Sequence, residues 1–468
     1  MSVMAKEMAL PKLCLITPGR SHKQVEDAKS RPWMPPSSLL VVAAMTPEHY
    51  QVDLWDENAR GYLAPGTLPA ADVYALSGLS TSRRRGYAVA DMIRSTGKPV
   101  VAGGMDVTGH YSEGHGDELL KHYTAIVVGH LTKALWRGVL DELSHGVSGM
   151  VYQAGADEPW EDVIPRHDLI NPDDYFLPAA IRTSAGCVQR CQFCTVHLVT
   201  GGRIHCKPRG LLKQELQHLP QTKRPIVVCD DSFGANYRHA LETVLPLLGA
   251  MGHPWFTEIT LKELRGGSGR PALLEPMAES GCAGVYVGIE SLIGANKDFV
   301  GTVSGKSLSL AETEDVIKRI HGFGMLVLGS FVFDAIGTET PDDIRRTVAW
   351  IIRHKLDFVQ LSLTALLPGS AMRRDALKDG HVIDNNPDHL DGAWPTVAHR
   401  MSAQERIELL QWSYREIFSV PSIARRLLHT GGRWHALVAL ANWQIHRSAA
   451  NWAKQFSYAY WLTTRELV

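Results

Sequence analysis

Between residues 12 and 146, short apolar runs of strand character alternate with segments of helical periodicity. The strand-like runs are KLCLIT from Lys12, an apolar stretch from Leu39, QVDLW from Gln51, VYALSG from Val73, KPVVAGG from Lys98 and AIVVG from Ala125. Helical segments are expected from about Arg84 and from Leu131. This alternation is typical of an α/β protein and predicts a doubly wound, Rossmann-like parallel sheet.

The expected strands of this region end in small or flexible residues. These are Pro18-Gly19, Ser77-Gly78-Leu79-Ser80, Gly103-Gly104 and Gly129. A doubly wound sheet binds its ligand beyond the carboxyl ends of the strands, and glycine lets the backbone come close to that ligand. The pattern therefore predicts a site for a nucleotide-like ligand in residues 1–150.

A second βα series follows a polar stretch rich in Pro and Asp, which predicts a linker over residues 151–175. Its expected strands are AAIRTS, PIVVCD, WFTEIT, GVYVGIES, MLVLGSFVF and FVQLSLT, each followed by a helical pattern. Six βα units predict a partial (β/α)6 TIM barrel over residues 176–370, with its active site at the strand C-terminal ends. Residues 371–468 lack strand patterns and predict a helical C-terminal domain.

Composition excludes several classes of protein. With 468 residues the chain exceeds the usual size of one core, and 48 basic against 49 acidic residues lack the positive excess of a nucleic-acid binder. No signal peptide and no apolar run long enough to span a bilayer is visible, which predicts a cytoplasmic protein.

Three of the seven cysteines lie within eight residues, spaced C-x3-C-x2-C in SAGCVQRCQFCTVH. They are Cys187, Cys191 and Cys194, directly after the first strand of the second series. A [4Fe-4S] cluster held by three thiolates keeps one iron open for an external bidentate group. The amino and carboxylate groups of S-adenosylmethionine can fill that position. A zinc site with His197 as fourth ligand is the alternative, although zinc modules usually carry two separated C-x2-C pairs.

The cysteine segment and the expected partial barrel resemble the radical S-adenosylmethionine (SAM) superfamily. The resemblance implies that Phe193 lies against adenine, that Asp230 or Asp231 binds the amino group of SAM, and that Glu290 in GIES holds the ribose hydroxyls. LPGS at residues 367–370 resembles the family as well. Loop packing for Phe193 and helix capping for the acids are the alternatives.

Motifs ahead of the cysteines resemble the cobalamin-binding domain of the B12-dependent branch of that superfamily. They are PPSSLL at Pro35, VDLWDEN at Val52, LSGLSTS at Leu76, VVAGGMDVTG at Val100 and IVVGH at Ile126. The resemblance covers residues 10–420 and implies cobalamin contacts by Ser77, Leu79, Gly103, Gly104, Thr108 and Gly129. No D-x-H-x-x-G string occurs, so no histidine is expected to replace the lower cobalt ligand. A domain that keeps this fold and binds nothing is the alternative.

Some features depart from the relatives. Ala185, Val188 and His130 stand where they commonly carry arginine, proline and an acid, which weakens transfer of substrate identity. The methylthiotransferase branch, with three more cysteines in its N-terminal domain, is excluded because only Cys14 precedes the motif. Cys206, Cys229 and Cys282 are expected to be small core residues.

The branch implies a cobalamin-dependent radical SAM methyltransferase acting on an unactivated carbon of a small-molecule, natural-product or lipid substrate. A 5′-deoxyadenosyl radical removes a substrate hydrogen, and methylcobalamin supplies the methyl group. The alternatives are a radical enzyme that cyclises, oxidises or rearranges its substrate, one that has lost cobalamin, and a metal-stabilised binding protein. An electron donor such as flavodoxin or ferredoxin is the expected partner, and nucleic acid is not.

The C-terminal tail is basic and carries Trp434, Trp443, Trp452 and Trp461 at nine-residue spacing. Nine residues are 2.5 turns of an ideal helix, so successive tryptophans fall on alternating faces and form no continuous stripe. Basic, tryptophan-rich helices bind anionic membrane surfaces, which would suit a lipid-like substrate. Packing of the tryptophans onto the barrel, with solvated arginines, is the alternative.

Overall fold

The computed structural model describes residues 10–20, 31–153, 163–267, 269–292, 308–334, 337, 339–427, 434–455 and 457–467. Side chains of residues 435 and 449–455 lie outside this description, and so does the part of the expected linker at residues 154–162. The chain forms two compact units, residues 1–179 with 214–222 and residues 180–213 with 223–468. The domain bounds drawn from the sequence stay predictions.

The first unit is a six-stranded parallel sheet with helices on both faces. Its strands are β1 (Lys12–Thr17), β2 (Gln51–Asp56), β3 (Val73–Ser77), β4 (Val100–Gly103), β5 (Ala125–Val128) and β6 (Met150–Gln153). Its helices are α1 (Ser37–Met45), α2 (Glu57–Arg60), α3 (Arg83–Arg94), α4 (Met105–Ser112), α5 (Gly116–His122) and α6 (Lys133–Ser144). The order β2-β1-β3-β4-β5-β6 places the topological switch between β1 and β3, where such sheets bind ligands.

Alternate residues of one strand face two separate cores. Leu13 and Leu15 of β1 pack into one cluster with α1 and α6, while Cys14 and Ile16 pack into the other with α3 and α5. A strand buried on both faces must be apolar at every position, which is why KLCLIT shows a continuous run instead of an alternation. The apolar stretch from Leu39 lies in helix α1 instead of a strand.

Strand β6 differs from the sequence prediction, which assigned residues 151–153 to the linker. It pairs in parallel with β5, and Tyr152 is buried against the sheet while its hydroxyl donates to Glu142 at 2.7 Å. Only three consecutive residues, Met150 to Tyr152, are apolar, so the pattern is too short to separate a sheet-edge strand from the polar segment that follows.

The second unit contains a second six-stranded parallel sheet of order β14-β13-β12-β11-β10-β7. Its strands are β7 (Ala180–Ile181), β8 (Ser184–Ala185), β9 (His205–Cys206), β10 (Ile226–Val228), β11 (Trp255–Glu258), β12 (Cys282–Glu290), β13 (Leu326–Phe333) and β14 (Phe358–Leu363). β8 and β9 form a separate antiparallel pair. The six main strands match the six expected from the sequence, in order.

Helices follow in this part of the chain, and some of them begin at a capping box. The helices are α7 (Val196–Thr200), α8 (Arg209–Gln217), α9 (Tyr237–His239), α10 (Leu245–Met251), α11 (Leu261–Arg265), α12 (Leu274–Glu279), α13 (Leu310–Gly322), α14 (Pro341–Arg353), α15 (Ala371–Lys378), α16 (Ala403–Ile417), α17 (Val420–Leu427), α18 (His435–Gln455) and α19 (Tyr458–Thr464). Ser309, Thr340 and Ser402 each form a capping box with the acid three residues later. This reciprocal bonding fixes where α13, α14 and α16 start.

The C-terminal helices are bonded to the barrel strands. Arg406 of α16 is buried and donates to Asp334 at 2.6 Å, just after β13. The Tyr414 hydroxyl donates to the Leu361 carbonyl of β14 and accepts the N–H of the same residue. The helical appendage is thus part of the second unit, and the predicted fold class of Rossmann-like domain, partial barrel and helical appendage is confirmed.

The tail tryptophans divide between two environments. Trp461 is buried and donates from Nε1 to Asp384, whereas Trp443 is 45% exposed. The side chain of Trp452 lies outside the described residues. None of the helices in the described ranges is both long and apolar enough to span a membrane.

Candidate functional site

The three motif cysteines occupy a loop between β8 and α7. All three are free thiols with half-buried side chains. The loop leaves β8 through Gly186, whose φ is +93° and whose Cβ, if present, would lie 1.8 Å from the Arg203 carbonyl oxygen. Because a side chain here would collide with the backbone that returns along β9, only glycine allows this entry into the loop.

Backbone hydrogen bonds hold the cysteine loop from both sides. Asp231 Oδ2 accepts the Gly186 N–H at 2.8 Å, just before the first cysteine. The carbonyl of Gln192, between the second and third cysteines, accepts the N–H of Met372 at 2.9 Å. Met372 lies in the first turn of α15, directly after LPGS, so the last barrel loop supports the cysteine loop.

Asp230 and Asp231 have different roles in the structure. The buried carboxylate of Asp230 accepts four hydrogen bonds, from the backbone and hydroxyl of Thr183 and from those of Ser184, at 2.5–3.0 Å. This carboxylate joins the end of β10 to the segment that enters the cysteine loop. Asp231, by contrast, uses Oδ2 to accept the single N–H of Gly186.

A group of carboxylates lies at the strand ends beside the cysteines. Burial raises the pKa of Glu290 to about 7, with the Glu258 carboxylate adding to the shift. The pKa of Glu258 is also raised to about 7, by desolvation first and then by Asp231. Glu258 lies at the end of β11. The residue is exposed to solvent, although neighbouring protein atoms desolvate its carboxylate. The carboxylates of Asp231, Glu258 and Glu290 are thus close enough to repel one another, and their combined negative charge favours a cationic ligand.

Glu290 has an unusual backbone conformation. Its φ is +61°, and the register between β12 and β13 shifts at this position. A non-glycine residue in the left-handed region costs about 1–3 kcal/mol and is concentrated at functional sites. The strain turns the carboxylate out of the strand, beside Gly288, where an added Cβ would lie 2.5 Å from Glu290 Oε1.

Two residues of this group were not singled out from the sequence. Glu258 ends WFTE, and the rule that selected acids at the ends of β10 and β12 would have selected it too. Tyr286 lies inside β12. Its pKa is raised to about 12, mainly by burial and further by the nearby carboxylates of Glu258 and Glu290. The apolar pattern of this strand gives no signal that distinguishes Tyr286 from a tyrosine of the hydrophobic core.

Burial keeps the motif thiols protonated in the chain without metal. Burial is the main cause that raises the pKa of Cys191 to about 12, followed by the neighbouring Cys194 and Cys187 thiols. Burial raises the pKa of Cys187 and of Cys194 as well. The metal-free thiols are therefore protonated at neutral pH, and iron binding must displace their protons.

Phe193 and His197 lie in and beside the cysteine loop. Phe193 is half-buried, and His197 lies in α7 with a pKa lowered mainly by burial. In a tetrahedral zinc site all ligand atoms lie within about 4 Å of one another. The cysteines and His197 form no such close group within the described part of the chain.

The six residues expected to contact cobalamin lie at the strand ends of the first unit. Gly104 has a φ of +100°, and an added Cβ would lie 2.7 Å from Ser77 Oγ. The Thr108 hydroxyl donates to the Gly104 carbonyl at 2.8 Å and accepts the Gly129 N–H at 3.0 Å. Gly103 and the 68% exposed Leu79 flank the same edge. Glycines therefore let this edge pack closely against Ser77 and Thr108.

Charged residues around this edge were not expected from the sequence. Arg83 and Ser80 both bond the Asp106 carboxylate at 2.6 Å. The buried Glu57 accepts the Gly19 N–H at 2.9 Å and pairs with Arg85. Each acid ties a strand-end loop to α3, and the residues are too far apart in sequence for their pairing to be read from spacing.

Comparison with known proteins finds methyltransferases of similar sequence. No family model matches it. It is 24% identical over 344 residues, 72% of either chain, to bacteriochlorophyllide d C-12(1)-methyltransferase of Chlorobaculum tepidum. It is 23% identical to hopanoid C-2 methylase of Rhodopseudomonas palustris, over 78% of this chain and 68% of that one.

A solved structure has the same fold. It is the radical S-adenosylmethionine methyltransferase TsrM from Kitasatospora setae, with cobalamin and a [4Fe-4S] cluster bound. The TM-score is 0.65 at 13% sequence identity, over 96% of this chain and 100% of that chain. The match includes both parallel sheets and the helical tail.

Proposed function

We propose that the chain is a radical SAM enzyme with an N-terminal cobalamin-binding domain and that it acts as a cobalamin-dependent C-methyltransferase. Its substrate is an unactivated carbon of a small molecule, natural product or lipid. The observation that carries this proposal is the loop of Cys187, Cys191 and Cys194 at the strand ends of a partial barrel. The loop begins at Gly186, whose N–H donates to Asp231.

Cys187, Cys191 and Cys194 would hold the [4Fe-4S] cluster. When bound, the cluster supplies the electron that cleaves SAM, and cobalamin supplies the methyl group. The chain's own part is to position and to shield: Asp230 and Asp231 fix the entry to the loop, and the α15 backbone supports its far side.

Asp231 and Glu290 would bind SAM, with Glu258 as an added neighbour. A carboxylate beside the cysteines suits a positively charged ammonium group, and a carboxylate turned out of β12 suits a pair of hydroxyls. Phe193 would supply an apolar surface for adenine. The raised pKa values of Glu258 and Glu290 support this assignment because burial without a cationic partner is what raises them.

Ser77, Leu79, Gly103, Gly104, Thr108 and Gly129 would form the cobalamin cradle. The open edge fits a large cofactor because Gly104 leaves no Cβ beside Ser77 and Thr108 braces two glycine turns. The topological switch between β1 and β3 adjoins this edge. TsrM, which has the same fold, carries bound cobalamin.

The substrate class rests on the relatives. Their names specify a bacteriochlorophyllide and a hopanoid, both large and apolar, and the tail exposes Leu437, Leu440 and Trp443 along one side of α18. We place the enzyme in the cytoplasm, with flavodoxin or ferredoxin as electron donor and this side of α18 as a peripheral membrane contact.

Sedimentation with vesicles tests the membrane contact. Binding to phosphatidylglycerol-containing vesicles, and loss of that binding in L437S/L440S/W443S, is expected. The Met251→Ser variant, changed at an exposed methionine of another helix, is the control. Equal binding by both variants would contradict the contact.

Anaerobic reconstitution tests the activity. The chain with iron, sulfide, cobalamin, SAM and reduced flavodoxin is expected to release 5′-deoxyadenosine and to move labelled methyl from SAM to bound cobalamin. Cys191→Ala abolishes the first product, whereas Cys206→Ala, a half-buried cysteine outside the motif, retains it. Absence of 5′-deoxyadenosine from a fully loaded chain refutes the radical activity. Cleavage without methyl movement favours the non-methylating alternative.

A further inference from the structure

The turn between α4 and α5 in the first unit brings two histidines and two acids together. His110 lies near the end of α4, and its carbonyl accepts the N–H of Glu113 at 3.2 Å and that of His115 at 3.3 Å. Gly114, with a φ of +90°, closes the turn between them. The imidazole rings consequently stack, with centroids 4.3 Å apart.

His110 is buried without a hydrogen-bond partner. The residue is 5% exposed, and neither ring nitrogen makes a hydrogen bond within the described ranges. A buried imidazole with two unused nitrogens is costly unless a ligand satisfies one of them.

Potential ligand atoms of four side chains converge on this turn, and the exposed His115 ring turns out of its stack on His110 for both imidazoles to face one ion. One ligand atom from each of His110, Glu113 and His115 lies within 4.8 Å of the other two. Glu118 Oε2 lies 3.3 Å from His110 Nε2 and 3.7 Å from His115 Nδ1. The edge of a tetrahedron around Zn²⁺ with ordinary Zn–N and Zn–O bonds is about 3.4 Å.

A residue outside this shell orients Glu118. The Tyr87 hydroxyl of α3 donates to Glu118 Oε1 at 3.3 Å, which directs Oε2 toward the imidazoles. Such support of a ligating carboxylate is common around metal ions.

We propose that the turn between α4 and α5 binds one divalent d-block cation, such as Zn²⁺, through His110, His115 and Glu113. Glu118 provides the fourth ligand. The ion closes a four-coordinate site that is separate from the cysteine loop, and it joins two helices of the first unit. The mixed nitrogen and oxygen donors suit zinc and its neighbours rather than calcium or magnesium.

Zinc titration of the full chain tests this site. The protein carries no histidine tag, and Cys187, Cys191 and Cys194 are replaced by alanine so that the cysteine loop binds no metal. Calorimetry with Zn²⁺ alone is expected to give one equivalent bound per chain with a micromolar or lower Kd. His115→Ala and Glu113→Gln each weaken it at least tenfold, and the visible spectrum of the Co²⁺ form loses its tetrahedral bands.

His145→Ala is the matched control, because His145 is an exposed histidine of the same unit and its loss leaves the titration unchanged. His115 has a 45% exposed side chain, so its replacement leaves the fold intact, which circular dichroism verifies. No bound equivalent in the parent chain, or an unchanged Kd in both His115→Ala and Glu113→Gln, overturns the proposal.

Discussion

The carboxylate of Asp231 accepts the backbone N–H of Gly186 at 2.8 Å, one residue ahead of the first motif cysteine. A single acid at the end of β10 thus positions the loop and adjoins the carboxylates that favour a cationic ligand. These two roles separate under substitution, because an amide oxygen still accepts a hydrogen bond but carries no charge.

Asp231→Asn is expected to keep normal iron content and to raise the KM for SAM about tenfold or more, since the charged acceptor for the ammonium group is lost. Asp231→Ala is expected to lower iron content as well, because the anchor of Gly186 disappears. Iron analysis and initial rates of 5′-deoxyadenosine release measure the two effects. Equal behaviour of the two variants would show that charge and anchoring do not separate.

Gly186→Ala is expected to abolish iron loading. Its Cβ would meet the Arg203 carbonyl, and its positive φ adds about 1 kcal/mol or more of strain. Gly210→Ala is the control, since open space surrounds that helical glycine. Iron and sulfide analysis after reconstitution measures the outcome, and normal loading of the Gly186 variant would refute the steric argument.

Gly104→Ala is expected to weaken cobalamin retention at least tenfold, about 1.4 kcal/mol, because the new Cβ meets Ser77 Oγ and fills the cradle. Gly97→Ala has a comparable positive φ but open surroundings, so it controls for backbone strain. Gel filtration with bound-cobalamin absorbance provides the measurement. Full retention by the Gly104 variant would place cobalamin elsewhere.

Arg406→Met is expected to destabilise the chain by about 3–5 kcal/mol, because it leaves the Asp334 carboxylate buried without its cation. Adding Asp334→Asn removes that charge and recovers part of the loss. Arg415→Met changes an exposed arginine on the same helix and is the control. Denaturant unfolding measures these differences. A free energy of unfolding in Arg406→Met equal to that of the wild type would contradict them.

The contribution of Glu258 and Glu290 to the stability of the chain without iron and SAM is expected to fall as pH rises from 5 to 8. The pKa of Glu258 and of Glu290 is about 7 in the folded chain against an ordinary 4.5, so the folded state holds protons that the unfolded state has released. Their contribution is complete below about 4.5 and lost as pH rises through 7. Thermal unfolding of Glu290→Gln should show a flatter pH dependence, and that of the exposed Glu408→Gln should not.

Much of the scaffold was predictable because buried strands impose local patterns. Continuous apolar runs gave the main strands of both sheets, and the cysteine spacing gave the loop. Strand β6 was missed because a run of three apolar residues is too short to specify a strand. The bonds of Asp230, the strain at Glu290 and the imidazole stack at His110 and His115 depend on folded backbone geometry, which spacing along the chain does not encode.

The tail illustrates the same limit. The sequence predicts its helices but not that Trp461 is buried while Trp443 is exposed. The burial of Trp461 includes a hydrogen bond to Asp384, which lies 77 residues earlier in the chain. Such contacts become visible once the fold brings the two segments together.

The bond pair between Tyr414 and Leu361 has a practical consequence. One hydroxyl serves both the N–H and the carbonyl of a residue on the outermost strand, and so replaces the neighbour that a sheet would otherwise seek in another molecule. Strand edges left bare recruit other chains and lead to aggregation. Shortened forms that end before α16 should therefore precipitate, and studies of the barrel alone would need a substitute for this tyrosine.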